Sequence, residues 1–495
     1  MIVTKRLMCG TLWKTLKKRK VLLLKFRVKR DMYRVNVGGK VFKAEEGELL
    51  SELLMRHGIS VPHPCSGRGV CKKCKATVDG EEILTCRYRI YRDVDVYLPT
   101  ESALSVKDFE GAENFGSDEL FTVLDIGTTT LIMALCSKDR RILRRVTSTN
   151  PQAVFGADVI SRIDACSRLG AKALQAPLIA RINEMLSRMG RQTERIFVSA
   201  NATMLHLLLG EDCSSMGRAP YTASFLEKRE VSAKTVGLEG VGELIVLPSA
   251  HAFVGADIIA GLACVDMPKK EKWSIFADLG TNAEIVLFSE DRILCTAAAA
   301  GPCFEGSNIE CGMSAAAGAI CSFGTIGGER IVETVEDAPP VGLCATGLID
   351  AIYELLRLGE IDESGYLDGR FYLADGIYIS PADVRQLQLA KSAVHSAIEA
   401  LLDIADAEWE DVERLYISGG FATKLSIPHA RAVGLVPRQL ADRSVLIDDA
   451  CLNGTLKYAA GDAEPSELAN RAEYCDLTQS EVFKEAFIKN MAFNV

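Results

Sequence analysis

The sequence predicts a multidomain chain, with a small, β-rich α+β domain near the N-terminus and a larger α/β body of two similar lobes behind it. Three observations carry that prediction. Four cysteines in the pattern C-x5-C-x2-C-x11-C sit among short alternating strands between Met32 and Thr100. A polar stretch, "TESALSVKDFEGAENFGSDE", separates them from the next apolar strand and has the composition of a linker. Beyond it a strand–Asp-x-Gly-Thr–strand unit occurs twice, as "FTVLDIGTTTLIMALC" and "WSIFADLGTNAEIVLF".

Bulk properties narrow the class. At 495 residues the chain has room for about two to four domains with large cores. A net charge of -9 argues against general nucleic-acid binding, which calls for a basic face. No apolar run reaches the roughly 18 residues of a membrane span; "VLLLKFRV" is short and broken by Lys25 and Arg27. Residues 1–31 form a basic extension with neither the apolar core nor the cleavage site of a signal peptide. The working protein is expected to begin at Met32, a polybasic tail being the alternative. Of 16 cysteines, those outside the cluster are scattered singly in apolar surroundings, as Cys136, Cys166 and Cys264 are. That pattern fits buried thiols in a reducing cytoplasm better than a disulfide scaffold.

The first domain, 32–100, opens with "YRVNVGGKVFKAEE", two alternating strands joined at Gly38-Gly39. "GELLSELLMRHG" has apolar residues at helical spacing. The loop "HPCSGRGVCKKC" then brings Cys65, Cys71 and Cys74, and a hairpin turning at Asp79-Gly80 delivers Cys86. Structural zinc sites usually come as two short-spaced pairs. Three cysteines on one glycine-containing loop, with the fourth arriving alone, suit a 2Fe-2S cluster, whose irons each take two thiolates. Gly67 and Gly69 let backbone N–H groups approach the sulfurs. Strand, strand, helix, Cys loop, strand, Cys resembles a 2Fe-2S ferredoxin of the β-grasp type. Lys72, where such domains often have Gly, departs from the pattern, and zinc remains the competing ligand.

After the linker, 101–118, come the two Asp-x-Gly-Thr turns. Each presents N–H and hydroxyl groups suited to phosphate oxygens, and each Asp can hold hydrated Mg²⁺ or orient water. The first contains Asp125, Gly127, Thr128 and Thr129; the second contains Asp278, Gly280, Thr281 and Asn282. Two copies suggest two lobes facing each other across a nucleotide cleft, with the first lobe expected over 119–215 and the rest of the body over 216–495. In "RLYISGGFATKLSIPHA" a strand reaches Ser418, and a helix is expected to start near Phe421. Gly419 and Gly420 would let a nucleoside lie against the backbone beside that helix N-terminus. "SPADVRQLQLAKSAVHSAIEALLDIA" predicts a long helix with Ser380 as N-cap and Pro381 first inside it. In "GADVISRI" and "GADIIAGL", Asp158 and Asp257 are read as helix caps, with a place facing the cleft as the alternative. No GxxxxGK[ST] loop is present, which argues against a P-loop NTPase.

The order DIGTTT, DLGTN, SGGF resembles the acetate/sugar-kinase, heat-shock ATPase and actin superfamily. Joined to the cysteine domain, the chain resembles the reductive activators of corrinoid proteins from about Met32 to its end. The segments that carry this include "NPQAVFGADVISRI", "ANATMLHLLLG", "LPSAHAFVGADI", "AAAAGPCFEGSNIECGM" and "SGGFATKL". The resemblance implies an ATP- and Mg²⁺-dependent electron donor whose client is a corrinoid-containing methyltransferase protein, and which needs an upstream reductant. It implies that Cys65, Cys71, Cys74 and Cys86 bind the 2Fe-2S cluster and that Asp125 and Asp278 serve Mg²⁺ and water. Gly127, Thr128, Thr129, Gly280, Thr281 and Asn282 would cradle phosphates, with Gly419, Gly420 and Phe421 near the adenosine. Cys303 and Cys311 are read as cleft-side or core thiols. Ala200, Ala283, Ala345 and Ala422 stand where the family tends to have Gly. Three other readings stay open: a donor to another low-potential metalloenzyme, a nucleotide-binding redox sensor without coupling, and a small-molecule kinase.

Overall fold

The computed structural model describes residues 32–57, 59, 61, 74–98, 104–109, 116, 119–156 and 158–493. They fall into two compact units, one formed by the described residues up to 98 and the other by those from 104 onward. The basic extension and the loop carrying Cys65 and Cys71 lie outside the described residues.

In the first unit, β1 (Met32–Val37) and β2 (Lys40–Glu45) form an antiparallel hairpin. Gly38 and Gly39 turn it with φ of 57° and 88°, the left-handed pair that a two-residue primed turn requires. The helix Leu50–Arg56 follows, then β3 (Lys75–Val78), β4 (Glu81–Leu84) and β5 (Val94–Tyr97). The β3–β4 turn has Asp79 at φ 49° and Gly80 at φ 91°. The sheet runs β2-β1-β5-β3-β4, with β1 parallel to β5. Alternation along β1 sends Val35 and Val37 inward to meet Leu50, Leu53 and Leu54 of the helix, and Cys74 and Cys86 join this core.

The second unit begins with β6 (Ser105–Asp108), inside the stretch expected to be a linker. It is an edge strand: Ser105 to Asp108 pair antiparallel with Thr147 to Arg144, and Arg144 Nε meets the Asp108 carboxylate at 2.5 Å. Four residues exposed on both faces show no alternation, so only the open edge of a neighbouring strand reveals them as a strand. Next come β7 (Leu120–Ile126), β8 (Thr130–Ser137), β9 (Ile142–Thr149), β10 (Thr193–Ala200), β11 (Arg229–Ser232) and β12 (Val241–Val246). The sheet order is β11-β12-β10-β7-β8-β9-β6. The first lobe therefore does not end at residue 215. β12 pairs parallel with β10, so the sheet of that lobe is complete only at Val246.

The second sheet starts with β13 (Trp273–Leu279), β14 (Ala283–Phe288) and β15 (Ile293–Ala298). An excursion forms β16 (Ala319–Ile326), β17 (Glu329–Thr334) and β18 (Gly342–Leu343), then the hairpin β19 (Phe371–Ala374) and β20 (Ile377–Ile379). The chain returns as β21 (Val412–Ser418), β22 (Ser444–Leu446) and β23 (Ala472–Tyr474), giving the order β22-β21-β13-β14-β15-β23. Five strands of each sheet match in order and direction: β9-β8-β7-β10-β12 and β15-β14-β13-β21-β22. The Asp-x-Gly-Thr turns join β7 to β8 and β13 to β14, so the repeat in the sequence is a repeat of the lobe.

Helix Pro381–Ala405 forms as its caps predict: Ser380 and Asp383 make a reciprocal capping box, and Val384, Leu387, Val394 and Ile398 pack with Ile275 and Ile285 of the second sheet. No α-helix starts at Phe421. A single 3-10 turn, Ala422–Lys424, follows β21, and the next helix is the short Ile427–Ala432. Ser426 caps it and Pro428 occupies its first turn, so the start signal lies five residues later than expected. Two helices serve both lobes. In Ala256–Cys264, Ala256 and Ala260 join the first-lobe core while Ile258 and Leu262 pack with Phe276 and Phe288. In Ala450–Ala460, Leu452 and Leu456 face the first lobe and Ala450 the second. They cross so closely that a Cβ on Gly454 would lie 1.7 Å from the Ala260 carbonyl oxygen. Gly454→Ala is accordingly expected to cost at least about 1–3 kcal/mol by overpacking, seen calorimetrically as a lower unfolding temperature for the second unit with the first unit's transition unmoved.

Candidate functional site

The cysteine site is built on the β3–β4 hairpin. Cys74 precedes β3, Cys86 follows β4, and the Thr85 N–H donates to the Cys74 carbonyl at 2.8 Å, closing the hairpin's open end. The two sulfurs lie 3.2 Å apart, both thiols are buried, and neither is in a disulfide. A disulfide would need about 2.05 Å. Thiolates sharing one tetrahedral metal at ~2.3 Å each stand about 3.7 Å apart, so the pair fits half of a four-cysteine centre after a small adjustment. Cys65 and Cys71 lie outside the described residues. Among the described residues no three His, Cys, Asp or Glu side chains converge to hold a metal ion.

The second site lies between the two sheets. In the β7–β8 turn the Gly127 N–H donates to the Thr130 carbonyl at 2.9 Å, and a Cβ on Gly127 would sit 2.8 Å from that oxygen. The turn's carbonyls are tied back into the first lobe. Asn150 donates through its side chain to Gly127 and through its backbone to Thr129, both at 2.8 Å. Arg162, fully buried, donates to the Thr128 carbonyl at 2.5 Å and to Gly156 at 3.1 Å. Asn201, the N-cap of helix Ala202–Leu209, reaches the Thr128 hydroxyl at 3.4 Å. In the β13–β14 turn Gly280 N–H donates to the Asn282 carbonyl at 2.9 Å, and the Asn282 side chain bonds Glu284. Glu305 touches both turns: its carboxylate accepts from the Thr129 hydroxyl and from the Thr281 hydroxyl and N–H.

Asp125 and Asp278 occupy matching places. Asp125 is the parallel neighbour of Ser199 on β10, and Asp278 of Ser418 on β21, whose hydroxyl bonds it. Burial pushes the Asp125 carboxyl up to about 7, with the Asp278 and Asp449 charges adding and a Cys451 hydrogen bond opposing. Burial likewise raises Asp278 to about 6. Asp257 rises to about 8, through burial first and then the charges of Asp278 and Asp125. Glu284 is held well above the usual carboxylate range by burial and by Asp257 and Asp278. Burial lowers Arg162 to about 10, against the attraction of Glu305 and Asp158. Acids crowded in this way bind protons, cations or hydrated metal more readily than isolated ones.

At the end of β21, Gly419 has φ 115°, and a Cβ there would lie 2.2 Å from the Leu279 carbonyl oxygen. Gly420 has open space where its Cβ would be, and Phe421 stacks on Phe304 at 4.9 Å. Cys303 is buried and Cys311 half-buried. Asp158 caps its helix in a box with Ser161, as expected. Asp257 does not: the N-cap is Gly255, and Asp257 stands with the cleft acids. Of the cleft residues, the sequence names Asp257 only as the alternative to a cap, and does not name Glu284, Glu305 or Arg162. Glu284 alone had a local signal, lying two residues beyond Asn282 on the strand that leaves the turn.

Three family models match the chain in order: the 2Fe-2S iron-sulfur cluster binding domain over residues 34–93, the RACo middle region over 121–270, and the C-terminal domain of RACo, the ASKHA domain, over 272–495. The chain belongs to the RACo family. The RACo boundary at 270–272 falls between β12 and β13, where the strands divide the lobes. A curated relative from Eubacterium limosum, the corrinoid activation enzyme RamQ, is 24% identical over 79% of this chain and 86% of its own length. The [Co(II) methylated amine-specific corrinoid protein] reductase of Methanosarcina barkeri is 26% identical over 63% of this chain and 65% of its own. A solved structure described as a reductive activator for corrinoid, iron-sulfur protein superposes with a TM-score of 0.69 at 24% identity, over 93% of this chain and 98% of that one. The fold is that of a RACo protein: a 2Fe-2S domain followed by an actin-like ASKHA body. No helix among the described residues is long and apolar enough to cross a membrane.

The raised acids make a pH prediction. A carboxyl with a higher pKa folded than unfolded favours the folded state at low pH, and this contribution is lost as pH rises from about 4 through the folded value. Asp257, at about 8, loses it between about pH 4 and pH 8. Asp257→Asn is expected to raise the urea midpoint of nucleotide-free protein more at pH 8 than at pH 5.5. An equal effect at both would show that Asp257 ionises freely.

Proposed function

We propose that this chain is an ATP-dependent reductive activator that passes a low-potential electron to the cobalt(II) corrinoid of a methyltransferase protein, restoring cobalt(I). The observation that carries the reading is the joining, in one chain, of a paired-cysteine β-grasp unit and a two-lobed cleft whose phosphate-type turns face a cluster of acids. The names of the similar proteins supply the client. Cys65, Cys71, Cys74 and Cys86 would hold the 2Fe-2S cluster, whose irons would supply one electron at a time and be re-reduced by an upstream donor. Moving one electron uphill by ~200 mV costs about 5 kcal/mol, which nucleotide binding or hydrolysis can offset by favouring one conformation of the complex over another.

In the cleft, Asp125 and Asp278 orient water and hydrated Mg²⁺, which keeps most of its own waters and needs few direct ligands. Gly127, Thr128, Thr129, Gly280, Thr281 and Asn282 receive the phosphates, and the open face of Gly420 beside Gly419 and Phe421 receives the adenosine. Ala200, Ala283, Ala345 and Ala422, each adding a methyl group where the family tends to have Gly, are the feature that favours a nucleotide-binding redox sensor without coupling. All of them are buried in the apolar clusters of the lobes, so their methyl groups contribute to core packing.

Low-temperature EPR of anaerobic, reduced protein mixed with a cobalt(II) corrinoid protein tests the reading. The cluster signal should be present, and the cobalt(II) signal should disappear only with Mg-ATP. Cys74→Ser should remove or alter the cluster signal. Asp278→Asn should keep the cluster and slow ATP-dependent cobalt(II) loss by about 10²-fold or more. Cobalt(II) left untouched by wild type with Mg-ATP would reject the proposed client, and absence of any cluster signal would reopen zinc.

A further inference from the structure

The turn Pro302–Glu305 belongs to neither phosphate-type loop, yet it touches both. Glu305 accepts hydrogen bonds from the Thr129 hydroxyl in the first lobe, and from the Thr281 hydroxyl and N–H in the second, the N–H at 3.1 Å. These are donors that the two loops would turn to a phosphate. The preceding residue, Phe304, stacks on Phe421 beside the Gly419–Gly420 pair, ring planes 25° apart. Gly301 and Gly306, at φ 82° and 72°, bracket the turn, and a Cβ on Gly306 would lie 2.2 Å from the Met313 carbonyl oxygen. Its course is therefore fixed, and Glu305 is held at the cleft. Behind the first loop the buried Arg162 guanidinium attracts the Glu305 charge.

A carboxylate and a phosphate compete for the same donors, and two anions in one desolvated cleft repel each other. We propose that Glu305 is an internal phosphate surrogate: without nucleotide it occupies the donors of both loops and clasps the lobes, and the phosphates of a Mg-nucleotide displace it. This deepens, and rests on, the nucleotide-cleft reading above. A ligand without phosphates cannot exchange with the carboxylate, so adenosine alone leaves the clasp in place. Displacement moves a turn whose other aromatic contact is Phe421, so one short segment registers both ends of the nucleotide.

Calorimetric titration of the full chain with Mg-ADP, Mg-pyrophosphate and adenosine tests this in wild type, Glu305→Gln and Glu305→Ala. Both phosphate ligands should bind Glu305→Ala about tenfold tighter than wild type, ~1.4 kcal/mol, with Glu305→Gln in between. Adenosine affinity should stay unchanged. Equal or weaker phosphate-ligand binding by either folded variant overturns the clasp, because it makes Glu305 a group that the nucleotide needs. A matching gain for adenosine overturns it too, because the effect would then not be exchange with an anion. Those outcomes leave the nucleotide cleft standing if wild type binds Mg-ADP. If wild type and both folded variants bind none of the three, the nucleotide reading fails, and the clasp with it.

Discussion

The crossing of helices Ala256–Cys264 and Ala450–Ala460 is the constraint on which the cleft depends. Each helix gives one face to the core of the first lobe and the other to the core of the second. The absent side chain of Gly454 lets the backbones meet against the Ala260 carbonyl. Ser199, the strand neighbour of Asp125, bonds Thr455 on the second of these helices at 2.6 Å. Just before that helix, Asp449 pairs with Arg145 of β9. A wider crossing would separate the sheets and, with them, Asp125 from Asp278.

That closeness has an electrostatic cost. Asp125, Asp257, Asp278 and Glu284 are brought together where burial resists ionisation, and most of them raise one another further. Such a cluster is poorly suited to stabilising the fold and well suited to binding something positive. Arg162, the one fully buried arginine among the described residues, is committed to the carbonyls of Thr128 and Gly156. It shapes the first loop from behind. Loop shape and cleft charge are thus separate tasks: neutral and basic side chains of the first lobe fix the turn, while acids from both lobes set the field.

Local chemistry made much of the architecture legible in advance. Gly38-Gly39 and Asp79-Gly80 specify their turns through positive φ, and Ser380, Pro381 and Asp383 specify a helix start through caps. The Asp-x-Gly-Thr repeat marks equivalent strands because tight turns accept few residues. Where the expectations failed, the deciding contact lay far away in sequence. β6 is a strand because β9 offers it an edge, and β12 belongs to the first lobe because it pairs with β10. The helix expected at Phe421 waits for Ser426 and Pro428.

The sequence by itself determined the two modules, their order and the repeated Asp-x-Gly-Thr turns, because spacing and turn chemistry act over a few residues. Only the tertiary structure decided which acids share the cleft. Asp158 and Asp257 open nearly identical segments, yet one caps a helix and the other joins Asp125 and Asp278. Glu305 lies 176 residues from Thr129 in sequence and meets it in space. Burial, mutual charge and hydrogen bonding between distant segments arise from packing two sheets about one pair of helices, and no local pattern encodes them.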